Sequence, residues 1–382
     1  MEQEAKQRVR VLHVVRPAVG GMRAHVLQLI VGLRAFGFDS ELACPGDSEL
    51  IHDALEASVV VHPISIVGPL HPLRDPLAIS DLVRVIRDRR PSLIHAHGSK
   101  AGLLARVAAR LSGGVPTIVT VHNQVLYGGI SSIVRGVYLR AERWLSRSTA
   151  RVIAVSEVLR REQVEVFGLP ENLVVCIYNG IDPSPFVAGG DRVAARRRLG
   201  MPEDAAAFGL AARFAPQKAH VQLVEAAIRV LERDGQAWAV LAGDGPLLET
   251  AKTKARASRV RDRILFPGFQ TDMPGFLAAL DVYCSAAVAE GLGIATIEAM
   301  AAGLPVVATA VGGTPEVVEE GVTGLLVPAG RPQALADALS PLLRDAVARK
   351  KMGAAGQARA LELFSEARML ERTAAVYREA LR

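Results

Sequence analysis

The sequence predicts an α/β protein built from two doubly wound, Rossmann-like domains. Three observations carry this expectation. The chain has 382 residues, more than one hydrophobic core usually serves, so two domains of about 150–200 residues are expected. Its composition is 50% hydrophobic with 34 glycines, which marks a globular chain and excludes a disordered one. Short β-branched runs alternate with amphipathic helical stretches, and that rhythm occurs twice. Continuous apolar strands separated by helices indicate parallel sheets covered on both faces.

In the first half the strand runs are "VRVLHVV" (9–15), "DSELAC" (39–44), "VVVHPIS" (59–65), "SLIHAH" (92–97), "TIVTVH" (117–122) and "RVIAVS" (151–156). Helical periods lie between them, as from His25 to Phe36, where Val26, Leu29, Ile30 and Leu33 recur on one face. The second half reads "AAFGLAA" (206–212), "AWAVLAG" (237–243), "RILFPG" (263–268), "VYCSAA" (282–287), "PVVAT" (305–309) and "GLLVP" (324–328). A Gly/Pro-rich stretch without helical period, "YNGIDPSPFVAGGD" (178–191), separates the two sets. Domains of 1–178 and 179–364 are therefore expected. The last segment, 365–382, has a helical pattern that suits packing on either domain. A return to the first domain is expected.

Cys44, Cys176 and Cys284 form no CxxC pair, which argues for a reducing compartment and against a disulfide frame or structural zinc. The start "MEQEAKQRVR" lacks the apolar region of a secretory signal, and no charge-free apolar run reaches membrane-spanning length. A cytoplasmic protein is expected. The net charge of +6 is uneven: residues 1–178 carry 21 Lys/Arg against 16 Asp/Glu. The first half is thus expected to meet an anionic partner or surface.

The most informative stretch is "AEGLGIATIEAMAAG" (289–303), which holds Glu290 and Glu298 in apolar surroundings. A helix is expected to begin near Gly293 or Ile294 and stop at Gly303. Its free N–H groups and dipole suit a phosphate, and Gly291 and Gly293 allow close backbone approach. Glu290 falls in the preceding loop, at the sheet edge where α/β ligands bind. Glu298 falls one turn into the helix. Carboxylates accept hydrogen bonds from sugar hydroxyls, so a nucleotide-sugar site is one reading. Two structural glutamates paired to Arg or Lys are the other.

In "LAARFAPQKAHVQLVEA" (210–226), Arg213 and Lys218 flank a strand-to-helix loop. Two such cations suit a diphosphate, or are ordinary loop charges. Gly20 and Gly21 precede a helix but do not match GxGxxG, so a dinucleotide fingerprint is absent. The "HAH" at His95 and His97 has no acidic or Cys partner at a metal spacing, and no Asp-x-Asp pair exists; no metal is expected. His122 precedes "NQVLYGG", where it suits a sugar hydroxyl or proton movement, or is simply a satisfied histidine. Residues 131–151 carry five arginines and one glutamate beside Tyr138, Leu139, Trp144 and Leu145. They fit an anionic membrane surface or a phosphorylated acceptor, or an ordinary solvated helix face.

Taken together, Glu290 and Glu298 in an E-x7-E spacing and the ordered stretches "LIHAHGSKAG", "TVHN", "VIAVSE", "IYNGID", "AARFAPQK", "LAGDGP" and "GGTPEVVEEGVTGLLVP" resemble the retaining glycosyltransferases of family 4 (glycosyl transferases group 1). The resemblance covers nearly the full length. It implies a GT-B architecture, two Rossmann-like domains facing a central cleft, the first binding the acceptor and the second the nucleotide sugar. It implies Glu298 on the ribose, Glu290 on the transferred sugar, Arg213 and Lys218 on the departing diphosphate, Gly21 against that diphosphate, and His122 near the reacting sugar. The donor site so implied comprises Gly21, Arg213, Lys218, Gly268, Glu290, Gly291, Leu292, Gly293, Ile294, Ala295 and Glu298. Catalysis would rest on His122, Glu290, Arg213 and Lys218. The implied reaction retains the anomeric configuration without a metal or other cofactor. It moves a hexose from a nucleotide diphosphate sugar, UDP-linked sooner than GDP-linked, to a sugar or polyprenyl-linked acceptor. No nucleic acid partner is expected. Three positions depart from the family pattern: Ala24 where Arg is frequent, Ala219 where Gly is common, and Leu292 where Phe is frequent. A non-catalytic nucleotide-sugar binder and a sugar-nucleotide epimerase on the same fold are the alternatives.

Overall fold

The computed structural model describes residues 8–18, 20–68, 70–124 and 132–382. These divide into two compact units: the described residues up to Gly180 together with Glu366–Arg382, and Ile181–Ser365.

The first unit holds a seven-stranded sheet of β1 (Val9–Val15), β2 (Phe38–Cys44), β3 (Val61–Pro63), β4 (Leu93–His97), β5 (Thr117–Val121), β6 (Arg151–Ala154) and β7 (Val174–Cys176). All pairings are parallel, in the order β3-β2-β1-β4-β5-β6-β7. Side chains alternate between the two faces with period two. Leu12, Val14, Ile94 and Ala96 face a cluster containing Leu82, Ile86 and Leu104. Val11 and Leu93 face the opposite side, where Leu29, Leu33, Met369, Leu370 and Tyr377 pack. The last three belong to the helix Glu366–Ala380, so the end of the chain supplies part of this unit's core. The strand β7 was not read from the sequence, since "VVC" is only three residues long. The helix expected from His25 to Phe36 instead starts at Gly21 and runs to Gly32, then tightens into a 3-10 turn at Leu33–Phe36.

The second unit holds β8 (Ala207–Ala211), β9 (Trp238–Ala242), β10 (Ile264–Leu265), β11 (Val282–Ser285), β12 (Val306–Thr309) and β13 (Gly324–Val327). This sheet is also parallel, in the order β10-β9-β8-β11-β12-β13. The run expected at 263–268 gives only a two-residue strand; its remainder is loop at the C-terminal edge. Buried Arg196 anchors the start of this unit. It reaches Asp281 at 2.8 Å and the carbonyls of Glu203 and Ala205 at 2.7 and 2.6 Å.

In both sheets the strand order reverses direction at one place, between β1 and β4 and between β8 and β11. Loops leaving adjacent strands in opposite senses open a crevice there, the usual ligand position in such sheets.

Candidate active site

Two loops of the second unit flank its switch point. The loop after β8 carries Arg213 and Lys218, and the loop after β11 carries Glu290. The Val288 N–H donates to the Gln217 carbonyl at 2.9 Å, tying the two loops together. The Lys218 ammonium donates to a Glu290 carboxylate oxygen. The loop after β12 closes the other side. There the Gly313 N–H donates to the Glu290 carbonyl at 3.2 Å. At Gly312 a Cβ would lie 1.7 Å from that same oxygen, and φ is +52°. Only glycine fits so close an approach. Gly268, with φ +78°, joins the same edge through its carbonyl, which accepts from the Gly243 N–H at 2.8 Å.

The helix Ile294–Ala301 follows, entered through Gly293 at φ +98°. Thr296 and Ile297 donate back to the Gly293 carbonyl. Among the described residues, no hydrogen bond uses the N–H groups of Gly291, Leu292, Gly293, Ile294 or Ala295. Five unused donors at a helix start form an anion site. Arg213 is exposed, and among the described residues no ion pair or hydrogen bond occupies its guanidinium.

The two glutamates have different surroundings. Glu290 has a cation partner, as the structural reading required. Glu298 has none among the described residues, and burial pushes its carboxyl up to about 7. Tyr283 lies beneath both: burial raises its phenol far above the usual range, and Glu290 and then Glu298 add to the effect. A buried carboxyl without a cation is costly. A ligand hydroxyl is the natural group to satisfy it.

Gly21 and His122 lie in the first unit. Gly21 opens the helix after β1, behind Gly20 at φ +58°. His122 follows β5 and is buried. Burial holds its ring well below the usual histidine range, and the charges of His25 and Arg16 lower it further. Sequence spacing did not show that His122 belongs to a cluster. Its Nε2 lies 3.4 Å from Nδ1 of His97, and Nε2 of His97 lies 3.1 Å from Nδ1 of His13. The loop "NQVLYGG" falls mostly outside the described residues.

Residues 191–359 match the family described as "Glycosyl transferases group 1", and residues 19–185 match "Glycosyltransferase Family 4". The phosphatidyl-myo-inositol mannosyltransferase of Mycobacterium leprae is 33% identical over 344 residues, 88% of this chain and 87% of the relative. The chain belongs to glycosyltransferase family 4. A UDP-Gal:alpha-D-GlcNAc-diphosphoundecaprenol alpha-1,3-galactosyltransferase of Escherichia coli is 26% identical over 327 residues, 84% of each chain. The Anabaena Alr3699/HepE structure in complex with UDP and glucose superposes with a TM-score of 0.84 at 22% identity, covering 97% of this chain and 100% of that one. Sucrose-phosphate synthase from Thermosynechococcus elongatus gives 0.82 at 21% identity, covering 97% and 98%. The fold is therefore GT-B, and the protein is a hexosyl-type nucleotide-sugar glycosyltransferase.

In this glycosyltransferase the three departures have distinct local settings. Arg23 does not substitute for the arginine missing at Ala24. Its guanidinium is held by Asp53 at 2.5 and 2.7 Å and also by Glu49. Ala219 adopts φ +48°, ψ 40°, a left-handed conformation that explains the usual glycine. Leu292 is buried. Of the basic segment, Ser131 lies outside the described residues; the helix Ser132–Ser146 exposes Arg135, Arg140 and Arg143, and Arg147 is exposed in the turn that follows. The Arg110 guanidinium lies 4.3 Å from the Trp144 ring centroid. Among the described residues, no helix is long and apolar enough to cross a membrane.

Proposed function

We propose that this glycosyltransferase moves a hexose from a nucleotide diphosphate sugar with retention at the anomeric carbon and without a metal in the transfer step. The observation that carries this reading is the pairing of Lys218 with Glu290 beside an unpartnered Glu298 and five unused N–H groups. Glu298 accepts from the ribose hydroxyls and Glu290 from those of the transferred sugar. Arg213, Lys218 and the N–H groups from Gly291 to Ala295 stabilise the charge that develops on the departing diphosphate. The acceptor hydroxyl attacks from the face the diphosphate leaves, through an oxocarbenium-like state. A departing phosphate oxygen takes the acceptor's proton, so no separate protein base is needed. His122 contacts the reacting sugar.

A UDP-sugar donor is supported over a GDP-sugar by the UDP-bound Anabaena neighbour and the UDP-Gal-named relative. The acceptor proposed is a sugar or polyprenyl-linked sugar, in glycan or cell-envelope polysaccharide synthesis, in keeping with the diphosphoundecaprenol and phosphatidylinositol of the relatives' names. The exposed arginines of 131–151 would hold the enzyme peripherally on the inner membrane face.

Glu290→Ala and Lys218→Ala should each lower turnover by roughly 100-fold or more, the usual scale for a lost charge-stabilising group, while unfolding stays cooperative. Near wild-type rates in both variants would overturn the reading. Incubation with UDP-, GDP- or ADP-sugar alone, followed by mass spectrometry and a thermal-shift screen, separates the alternatives. A new epimer identifies an epimerase. Binding without transfer to any supplied acceptor identifies a regulatory binder.

A further inference from the structure

Among the described residues, the first unit contains five buried histidines: His13, His25, His95, His97 and His122. Sheet geometry accounts for the grouping. His13 pairs in register with His95, and Val15 with His97, on neighbouring strands β1 and β4. Period two sends His13, His95 and His97 to one face. The helix Gly21–Gly32 covers that face with His25, and β5 delivers His122 beside them.

Two triplets within this group each place one nitrogen per ring within 4.8 Å of the others: His13, His95 and His97, and His25, His97 and His122. In the first, both ring nitrogens of His95 are already engaged. His95 is bonded to the Tyr377 hydroxyl and to the Thr120 hydroxyl, each at 2.6 Å, and coordination would break one of these. In the second, His25 is 4% exposed, yet neither of its ring nitrogens has a hydrogen-bond partner. The separation of His97 Nδ1 and His122 Nε2 is 3.4 Å. Two nitrogens bound tetrahedrally to one zinc at about 2.0–2.1 Å stand about 3.3–3.4 Å apart. With Nδ1 of His97 on an ion, its Nε2–H donates to Nδ1 of His13 at 3.1 Å, the outer-shell bond that histidine ligands require.

We propose that His25, His97 and His122 form a binding site for one divalent transition ion of the zinc class, with a fourth position left open. Three imidazoles with no carboxylate select a borderline ion over magnesium or calcium. Arg16 lies near His122 and disfavours any cation held by charge alone, which leaves covalent Zn–N bonding as the driving term. Binding directs His122 Nε2 at the ion and moves its proton to Nδ1. The ion thereby withdraws His122 from the sugar and inhibits transfer. This inhibition rests on the proposed role of His122; the binding does not.

Cobalt(II) titrated into the whole metal-free protein tests the site. One equivalent should produce the intense visible bands of a tetrahedral nitrogen site, and zinc should bleach them. His25→Ala and His97→Ala should weaken binding by more than the roughly 10–100-fold that loss of an outer-shell partner causes. His52→Ala, at an exposed histidine, should leave it unchanged. If His25→Ala and His97→Ala do not fold, His122→Ala, the least buried of the three, supplies the same comparison. Absence of the bands, or undiminished binding in folded His25→Ala or His122→Ala, overturns the site. Stoichiometric zinc should also lower wild-type turnover at least tenfold. Full turnover in zinc-loaded protein overturns the inhibition and, with it, the assignment of His122 to the sugar, while Glu290 and Lys218 are judged by their own variants.

Discussion

Glu298 is the residue whose environment most directly reports a missing partner. Its carboxyl is pushed up to about 7 because burial removes water and, among the described residues, no cation replaces it. The folded state therefore holds a proton between about pH 4.5 and 7 that the unfolded chain has released. Stability from this group is full below about 4.5 and is lost as pH rises toward 7, by about 3 kcal/mol at most. Glu298→Gln should lack that slope, and urea unfolding of both proteins at pH 5 and pH 7.5 measures it. An equal slope in the two would mean that other groups dominate. Glu290 lies on the same sheet edge but is paired with Lys218. The sequence spacing of E-x7-E could not distinguish a paired from an unpaired carboxylate, because the partner is 72 residues away and arrives through loop geometry.

At the scale of elements, the loop edge around Glu290 was legible wherever a local signal existed. The strand, loop and helix around Glu290 follow from β-branched runs, two glycines and a helix-ending Gly303, and the helix lies at Ile294–Ala301. Gly312 was not legible. Its role depends on contact with the Glu290 carbonyl, which no local pattern encodes. The histidine cluster was hidden for the same reason: its members come from two strands, a helix and a strand end. Ala219 shows the opposite case, a position where the sequence departs from the family pattern while the backbone adopts the left-handed conformation that favours glycine. Left-handed backbone costs a non-glycine residue about 1–2 kcal/mol, more than the roughly 0.4–1 kcal/mol that added unfolded-chain freedom costs a glycine. Ala219→Gly should therefore stabilise the protein, by up to about 1 kcal/mol in denaturant unfolding. A loss of stability would refute the strain.

At the scale of the whole molecule, the helix Glu366–Ala380 completes the first unit's core with Met369, Leu370, Ala374 and Tyr377. A Cβ on Gly32 would lie 2.4 Å from Leu370 Cδ1, so the helix packs against backbone there. Tyr377 is fully buried and bonds Nδ1 of His95 at 2.6 Å. Tyr377→Phe keeps the ring but strands that nitrogen, at a cost of about 1–3 kcal/mol. Urea unfolding followed within the first unit should show the loss; an unchanged midpoint would mean that water replaces the hydroxyl.

That helix also sets an order of events during synthesis. A ribosome releases the segment Ile181–Ser365 before Glu366–Ala380. The second unit has all its strands in hand while the first still exposes the apolar face of β1 and β4. The second unit is thus free to mature first, and the half encoded earlier must wait, its oily surface open to chaperones, until the late helix emerges to seal it.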